Sequence, residues 1–305
     1  MKVFLTGATG YIGGTVAAAL CAAGHKVVGL AHSDQKNSEA AIRAKGIAPV
    51  FGLLDDSALL TRMAGEADAV INAANVDHRG STEAFLAALK GTNKPYIQTS
   101  GSGVTADMAG GEPTAAIYED DDVVVPLPSR AARIALNNFV LAAAITGVRT
   151  AVIAPPMIYG KGTGLNPNSI QVPAMIKVAK KFGVPKYVGR GENRWSNVHV
   201  EDLAQLFLAV LERGKAGAFY YAENGENSLK EVAEAVSRLL GFGNLAESLT
   251  VAQAYVEYGE MMTNLSFGSN SRVRATRAHK ELGWFGKQRP LIDDIEHGSY
   301  LEARS

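Results

Sequence analysis

The sequence predicts an α/β protein built around a doubly wound parallel sheet, and two features of the chain lead to this prediction. Through the first 150 residues, short apolar runs rich in Val, Ile and Phe alternate with segments of helical periodicity. The runs are apolar at successive positions, which is typical of parallel strands that helices cover on both faces. Right-handed crossovers between such strands wind the chain outward in both directions from the first strand.

The predicted elements follow one another in regular order. Strands are expected at residues 2–6, 26–31, 47–51, 69–73, 95–99 and 148–154. Helices are expected near residues 11–23, 35–45, 56–65, 80–91 and 129–147. A helix from about residue 200 to residue 213 precedes a strand near residues 218–222, which we expect to join the same sheet.

Two stretches interrupt this order. Residues 161–185 contain glycines, prolines and a short helical segment, and residues 229–285 are mostly helical without strand signals. We assign both to a smaller, mainly helical lobe beside the carboxyl ends of the strands, where ligands of open α/β sheets bind. On this division, residues 1–160 and 195–225 form the sheet domain, and residues 161–194 and 226–305 form the substrate lobe.

The composition narrows the range of partners. Lys and Arg total 30 residues and so do Asp and Glu, so the chain lacks the basic surplus that is typical of nucleic-acid binders. Cys21 is the one cysteine, which excludes an internal disulfide. The first predicted strand begins at Lys2, leaving no room for a signal peptide, and no apolar run approaches the roughly 20 residues of a membrane span. We therefore expect a cytoplasmic protein that binds neither nucleic acid nor membrane.

A glycine-rich turn follows the first predicted strand and opens the first predicted helix. Its sequence, TGATGYIG at residues 6–13, lies where a dinucleotide-binding fingerprint must lie. Gly7 permits the tight turn, Gly10 lets the backbone approach a pyrophosphate, and Gly13 lets the helix pack against the strand. Amides at the start of the helix then face the phosphate charge. We predict that NAD or NADP binds at this turn, where the contact residues are Gly7, Thr9, Gly10, Tyr11, Ile12 and Gly13.

The end of the second predicted strand bears on the choice between NAD and NADP. An acidic residue there would hold the adenosine 2′-hydroxyl and repel a 2′-phosphate, but Ala31 occupies that place. His32, Ser33 and Lys36 follow and could bind a phosphate, whereas Asp34 would oppose one. The sequence thus favours NADP, with NAD possible, and predicts His32 and Ser33 as contacts. The alternative is that His32 and Lys36 are solvated loop residues.

Several segments together resemble the extended and atypical short-chain dehydrogenase/reductases, the group that holds the NAD-dependent epimerase/dehydratases. They are TGATGYIG, NAA, QTSG, PPMIYG, VHVEDLA and LGW, at residues 6–13, 72–74, 98–101, 155–160, 198–204 and 282–284. The resemblance covers essentially the whole chain and implies a Rossmann domain with a small C-terminal substrate lobe. It also implies further contacts to the cofactor, with the fifth strand ending below the nicotinamide. These contacts are Asn72, Ala73, Ala74, Thr99, Ser100, Pro155, Pro156 and Met157.

The residues that usually perform this family's chemistry are absent. Members use a Ser or Thr and a Tyr-x-x-x-Lys pair, in which the Lys lowers the pKa of the Tyr that exchanges a proton with the substrate. Here Ser129 stands at the Tyr position, Arg133 at the Lys position, and Gly101 at the Ser position between Ser100 and Ser102. Arg133 could hold the nicotinamide ribose as a fixed cation. The chain therefore resembles a subgroup that keeps the cofactor turn and lacks the active-site residues.

If hydride transfer occurs, a replacement donor or a bound water must supply the proton. Tyr159 follows the sixth strand at the correct edge of the sheet and could donate, or it could simply line the pocket. Ser102 is a second donor, although a serine hydroxyl is a poor acid. Tyr159, Ser102 and Arg133 are thus the predicted catalytic residues. The chain has no Cys/His cluster of the zinc-binding kind, and no metal site is expected.

Three functions remain open at this point. The first is an NAD(P)-dependent reductase of a small organic carbonyl or unsaturated substrate. The second is a non-redox isomerase, cyclase or lyase of the same shape, and the third is a non-catalytic dinucleotide sensor resembling NmrA-like regulators. The chain carries a substrate lobe and no obvious interaction tail, which favours an enzyme. Relatives in the resembled family often pair through helices such as 80–91 and 129–147, so a homodimer is possible.

Overall fold

The computed structural model describes residues 1–32 and 38–304, and its centre is a parallel sheet of seven strands. Ser33 and Lys36, which bear on the choice of cofactor, lie outside the described residues. The strands, numbered in chain order, are β1 Lys2–Thr6, β2 Lys26–Ala31, β3 Ile47–Phe51, β4 Ala69–Asn72, β5 Pro95–Thr99, β6 Arg149–Ala154, β7 Met157–Tyr159, β8 Lys186–Val188, β9 Arg194–His199, β10 Ala218–Tyr221, β11 Glu226–Ser228 and β12 Glu247–Leu249.

Helices cover the large sheet and build most of the lobe. No helix formed by the described residues has the length and apolarity needed to cross a bilayer. The helix predicted over residues 129–147 is shorter than expected, because short 3₁₀ turns flank it at Pro128–Arg130 and Ala143–Thr146. The α-helices are α1 Tyr11–Ala22, α2 Glu39–Ala44, α3 Ser57–Glu66, α4 Arg79–Leu89, α5 Ala131–Ala142, α6 Gln171–Phe182, α7 Val200–Arg213, α8 Leu229–Leu239, α9 Val251–Tyr258, α10 Glu260–Met262, α11 Thr276–Leu282 and α12 Leu291–His297.

The seven central strands run parallel in the order β3-β2-β1-β4-β5-β6-β10. The chain starts in the middle with β1, moves outward to β3, and then returns to place β4, β5 and β6 on the other side. This order confirms the predicted doubly wound sheet, including the late strand that forms its edge beside β6. The direction of winding reverses between β1 and β4, and ligands of such sheets bind in the crevice at this point.

Alternate residues of β1 face two different hydrophobic clusters. Val3 and Leu5 pack in a cluster with residues of α1 and α7, whereas Phe4 packs in a cluster with residues of α3 and α4. All three side chains are fully buried. Because successive side chains of a strand point to opposite faces, a strand that is apolar at every position needs helices on both sides. The strand ends are therefore the part of this sheet that remains available to a ligand.

The lobe begins directly beyond the end of β6 and contains two small sheets. The strand β9 pairs with β7 in parallel and with β11 in antiparallel fashion, and β12 pairs with β8 in parallel. β12 lies inside residues 229–285, which the sequence predicted to have no strand, so the prediction is wrong there. The strand has three residues, which is too few to give a periodic hydrophobic signal.

The three-stranded sheet connects the lobe to the large sheet. β7 and all of β9 except Arg194 fall in the ranges predicted for the sheet domain, but both strands pair within the small sheet. Tyr159 of β7 and Trp195 of β9 are buried in one hydrophobic cluster with Met175 of α6 and Val236 of α8. The domain limits drawn from the sequence remain a prediction, and these two strands are the segments that pack against lobe helices.

Candidate active site

The turn between β1 and α1 requires glycine at two positions for steric reasons. Gly7 has a φ of +70°, and a Cβ placed there would lie 2.5 Å from the carbonyl oxygen of Ala73. A Cβ at Gly13 would lie 2.2 Å from the carbonyl oxygen of Gly7. Both distances are far inside van der Waals contact, so these glycines hold the turn close to the end of β4 and to the start of α1. This is the arrangement that the sequence motif predicts.

The start of α1 is open to an anion. Gly10 is the N-cap residue, and among the described residues no side chain caps the helix and no acid lies in its first turn. A Cβ at Gly10 would meet one atom within 4 Å, the carbonyl oxygen of Gly7 at 3.2 Å, so its outer side is open. The free amides of a helix start carry a partial positive charge. A pyrophosphate group fits this turn on both steric and electrostatic grounds.

A chain of buried polar side chains links the ends of β1, β4 and β5. Thr6 donates its hydroxyl hydrogen to Oδ1 of Asn72 at 2.5 Å, and Nδ2 of Asn72 donates to Oε1 of Gln98 at 3.1 Å. The hydroxyl of Tyr96 donates to the same oxygen of Gln98 at 2.5 Å. These bonds satisfy polar groups that would be costly to bury alone. They also fix the strand ends from which Ala73 and Ala74 continue.

The end of β5 carries two buried hydroxyl groups without a protein partner. Thr99 is 1% exposed and Ser100 is 5% exposed. Neither hydroxyl oxygen has a hydrogen-bond partner among the described residues. Buried hydroxyls in native proteins are nearly always hydrogen-bonded. Each hydroxyl therefore has hydrogen-bonding capacity that the protein leaves unused, and the resemblance had predicted both residues as cofactor contacts.

Arg133 belongs to α5, and its guanidinium reaches the end of β5, where Asp77 holds it. Nε of Arg133 donates to Oδ1 of Asp77 at 2.7 Å, and Nη2 donates to the other carboxylate oxygen in a still shorter bond. A Cβ at Gly101 would lie 3.7 Å from Nη1 of Arg133 and 3.9 Å from the carbonyl oxygen of Pro155. The hydrogen bond from Arg133 lowers the pKa of Asp77 below its ordinary value. Asp77 was not among the predicted site residues, although a carboxylate shortly after β4 was a usable signal.

Ser102 is nearby, but its hydroxyl is already engaged. The residue is fully buried, its Oγ lies 2.7 Å from Oγ of Ser271, and Ser271 also donates to the carbonyl oxygen of Ser102. Thr105 lies within hydrogen-bond distance of the same Ser271 hydroxyl, at 3.0 Å. The amide of Ser102 donates to the carbonyl oxygen of Pro155 at 2.9 Å, which ties the loop after β5 to the end of β6. Ser102 thus joins the loop after β5 to Ser271, a partner that sequence reasoning missed.

The Tyr159 side chain lies within the lobe. It is fully buried, and its hydroxyl donates to the carbonyl oxygen of Arg289 at 2.6 Å. Its ring packs edge-on against His199 at a centroid distance of 5.4 Å. Burial, with a smaller contribution from Asp294, raises the pKa of Tyr159 above its ordinary value. The backbone amides of Ser100 and Ser102 bond to β6 and to Pro155 just after it, and Arg133 lies beside Gly101 between them. Tyr159, by contrast, is hydrogen-bonded to the carbonyl of Arg289.

A cluster of three arginines surrounds Glu226 in the lobe. Arg194, Arg272 and Arg274 all form ion pairs with its carboxylate, at 2.9 to 3.1 Å. Burial by itself would raise the pKa of Glu226, but hydrogen bonds from the three arginines lower it below the ordinary value. Arg194 is therefore paired within the protein.

The lowered pKa of Glu226 predicts a loss of stability in acid. Because the folded-state pKa lies below the unfolded value, the stabilisation is complete above about pH 4.5 and is lost as pH falls through the folded pKa. We expect Glu226→Gln to reduce the free energy of unfolding at pH 7 by about 1–2 kcal/mol, since solvent screens the partly exposed arginines. Urea unfolding between pH 3 and pH 7 measures this. Equal pH slopes for the wild type and the variant would contradict the prediction.

Comparison with known proteins agrees with a dinucleotide-binding fold of this kind. The model of the NAD dependent epimerase/dehydratase family matches residues 3–221. An uncharacterized protein of Saccharomyces cerevisiae is 34% identical, over 97% of this chain and 98% of that protein. An oxidase of an Acremonium species is 30% identical, over 97% of this chain and 95% of that protein.

A solved structure shares the fold along the whole chain. The dTDP-glucose 4,6-dehydratase of Bacillus anthracis, in complex with NAD, superposes with a TM-score of 0.76 at 18% identity, covering 99% of this chain and 96% of that chain. The likeness at this identity concerns the fold. The family match, by contrast, includes the glycine turn, the ends of β4 and β5, and the whole large sheet. The chain belongs to the NAD-dependent epimerase/dehydratase family.

Proposed function

We propose that the protein is an NAD(P)-dependent oxidoreductase that reduces a small organic carbonyl or unsaturated compound without a Tyr–Lys pair. The observation that supports this proposal is the Arg133 guanidinium, which Asp77 holds beside Gly101, just beyond the end of β5. Hydride transfer to a carbonyl builds negative charge on the oxygen, and a fixed guanidinium stabilises such charge. The family and the oxidase relative support redox chemistry.

The cofactor would be held along the carboxyl ends of the central strands. Backbone amides at Tyr11 and Ile12 would bind its pyrophosphate, and Thr99 and Ser100 would bind polar groups near its nicotinamide. The bound nicotinamide supplies the hydride. NADP remains our preferred cofactor because Ala31 leaves no carboxylate at the end of β2. His32 is exposed there, within reach of solvent and of a ligand.

Water is the proton donor that we propose. The hydroxyl of Ser102 is engaged with Ser271, and the hydroxyl of Tyr159 is engaged with the carbonyl of Arg289. A hydroxyl whose hydrogen is committed to a buried acceptor must break that bond before it can donate to substrate. The carboxylate of Asp77 has a lowered pKa and holds no proton near neutral pH. Arg133 would therefore act by stabilising charge, and a water molecule would deliver the proton.

The experiment offers the protein, saturated with NADPH or NADH, a panel of ketones, aldehydes and enones and follows oxidation of the reduced cofactor. We expect oxidation with at least one carbonyl class. Cofactor binding without any oxidation would favour the non-catalytic sensor, and substrate conversion without net oxidation would favour an isomerase or lyase. A Gly10→Asp preparation serves as the control for contaminating reductases, because it lacks the dinucleotide site.

Replacing Tyr159 tests the proposed proton source. We expect Tyr159→Phe to lower the free energy of unfolding by about 1 kcal/mol, through loss of the bond to Arg289, and to change kcat by less than about twofold. Tyr258→Phe is the matched control, since the Tyr258 hydroxyl also donates to a lobe carbonyl, that of Lys186 at 3.0 Å. A selective fall in kcat of about tenfold or more for Tyr159→Phe would restore Tyr159 as the proton donor.

The homodimer also stays a proposal. Phe139 on α5 is 37% exposed, and Ile145 in the turn after α5 is 91% exposed. Apolar side chains on this helix suit a contact between copies of the chain. Sedimentation of the wild type beside a Phe139→Glu variant would test whether α5 takes part in one.

A further inference from the structure

We propose that Arg130 binds a carboxylate of the substrate beside the nicotinamide site, so that the substrate is a carbonyl compound with a carboxylate close to its carbonyl group. This inference rests on the proposed oxidoreductase function and names the substrate class of the same site. Arg130 immediately precedes α5 and lies one turn before Arg133. It was not among the residues predicted from the sequence.

The two arginines differ in their partners. Both carboxylate oxygens of Asp77 accept hydrogen bonds from Arg133, and Asp77 forms no hydrogen bond with Arg130. Nε of Arg130 is buried and has no hydrogen-bond partner, and Arg130 forms no ion pair with any described residue. A buried donor without a partner loses its hydration without compensation. Arg130 therefore has no anion bonded to it, and Asp77, which is bonded to Arg133, acts on Arg130 only through its charge.

The local charge balance also points to an anionic ligand. Arg130 and Arg133 carry two positive charges and Asp77 carries one negative charge, which leaves one positive charge in excess. Burial and then the nearby charge of Arg133 lower the pKa of Arg130, and the charge of Asp77 offsets only part of this effect. A bound anion would relieve both effects. A carboxylate matches the planar guanidinium fork with two parallel hydrogen bonds.

The position separates this anion from the cofactor phosphates. The pyrophosphate site lies at the end of β1, whereas Arg133 lies beside Gly101 at the end of β5, two strands away. Two strand spacings of about 4.8 Å place the sites roughly 10 Å apart. A Cβ at Gly101 would be at ordinary contact distance from the guanidinium of Arg133, so the absence of a side chain there leaves the guanidinium uncovered on this side. A substrate there could place its carbonyl oxygen near Arg133 and its carboxylate at Arg130.

A series of small molecules of nearly equal size tests the inference. Oxamate carries one carboxylate, and oxamide is its neutral counterpart. Calorimetric titration of each is run on the protein alone and on the protein saturated with NADP, using the wild type, Arg130→Gln and Arg130→Lys. Arg62→Gln is the matched control, because Arg62 is an exposed arginine on α3. A separate titration with NADP reports whether each variant is folded and still binds the dinucleotide.

We expect oxamate to bind the wild type at least about tenfold more tightly than oxamide does, and Arg130→Gln to weaken oxamate binding about tenfold or more. Arg130→Lys should recover part of the loss, and Arg62→Gln should match the wild type. The dissociation constant of NADP should change less than about twofold in Arg130→Gln. Equal binding of oxamate and oxamide, or equal oxamate binding by the wild type and Arg130→Gln, would overturn the inference.

The experiments distinguish failure of the Arg130 proposal from failure of the proposed oxidoreductase function. If NADP and NAD do not bind, the oxidoreductase proposal fails, and the oxamate titration without cofactor still decides the role of Arg130. If the dinucleotide binds and supports reduction but Arg130→Gln does not weaken oxamate binding, the proposed oxidoreductase function is retained and the proposed substrate class is wrong.

Discussion

Gly10→Asp should abolish binding of NAD and NADP while leaving the fold intact. The backbone at Gly10 has φ −81° and ψ 176°, which any residue adopts. A Cβ there would lie 3.2 Å from the carbonyl oxygen of Gly7, a tight contact that a shift of a few tenths of an ångström relieves. Aspartate is also a favourable N-cap residue, so the helix itself loses no stability. The carboxylate of the introduced residue would, however, accept hydrogen bonds from the amides that bind the pyrophosphate, and its negative charge would repel the charge of the pyrophosphate. We expect affinity to fall by about 100-fold or more, which corresponds to about 2.7 kcal/mol.

Gly10→Asn is the matched control for this prediction. Asparagine has nearly the same size and caps helices equally well, but it carries no charge. Its affinity for the dinucleotide should therefore lie between those of the wild type and Gly10→Asp. Fluorescence titration with NADPH measures all three, and thermal unfolding shows that each is folded. Micromolar affinity of Gly10→Asp for NADPH would show that the dinucleotide does not bind at this turn.

Arg133→Ala should produce the second large effect, on both cofactor binding and catalysis. The side chain is 15% exposed, lies beside Gly101, and is held by two hydrogen bonds to Asp77. Its loss removes a fixed cation near the nicotinamide and leaves the Asp77 carboxylate unpaired at the same place. We expect the dissociation constant of NADPH to rise about tenfold and kcat/KM to fall about 100-fold.

Two further variants separate the charge of Arg133 from its hydrogen bonds to Asp77. Arg133→Lys keeps the charge but cannot form two parallel bonds to Asp77, so it should recover part of the activity. Asp77→Asn keeps the shape and removes the partner's charge, and it should lower kcat/KM less than Arg133→Ala does. Unchanged dinucleotide binding and turnover in Arg133→Ala would make Arg133 a structural residue of α5.

The geometry of the glycine turn was easier to predict from the sequence than the surroundings of the proposed catalytic groups. Gly7 and Gly13 are required by backbone contacts within a few residues, and such local constraints are visible in a short window of sequence. The partners of Ser102 and Tyr159 are Ser271 and the carbonyl of Arg289, which follow 169 and 130 residues later. No local pattern marks such a pair, because the bond exists only once the lobe has packed against the sheet.

The sequence by itself determined the class of fold, the positions of most of its central strands, the glycine turn and the absence of a Tyr–Lys pair. It did so because apolar periodicity and glycine geometry are properties of neighbouring residues. The tertiary structure alone decided that Asp77 holds Arg133, that the Tyr159 hydroxyl meets a lobe carbonyl, and that Arg130 is left without an anion. These features depend on which loops meet beyond the strand ends, and that meeting follows from the packing of the whole chain.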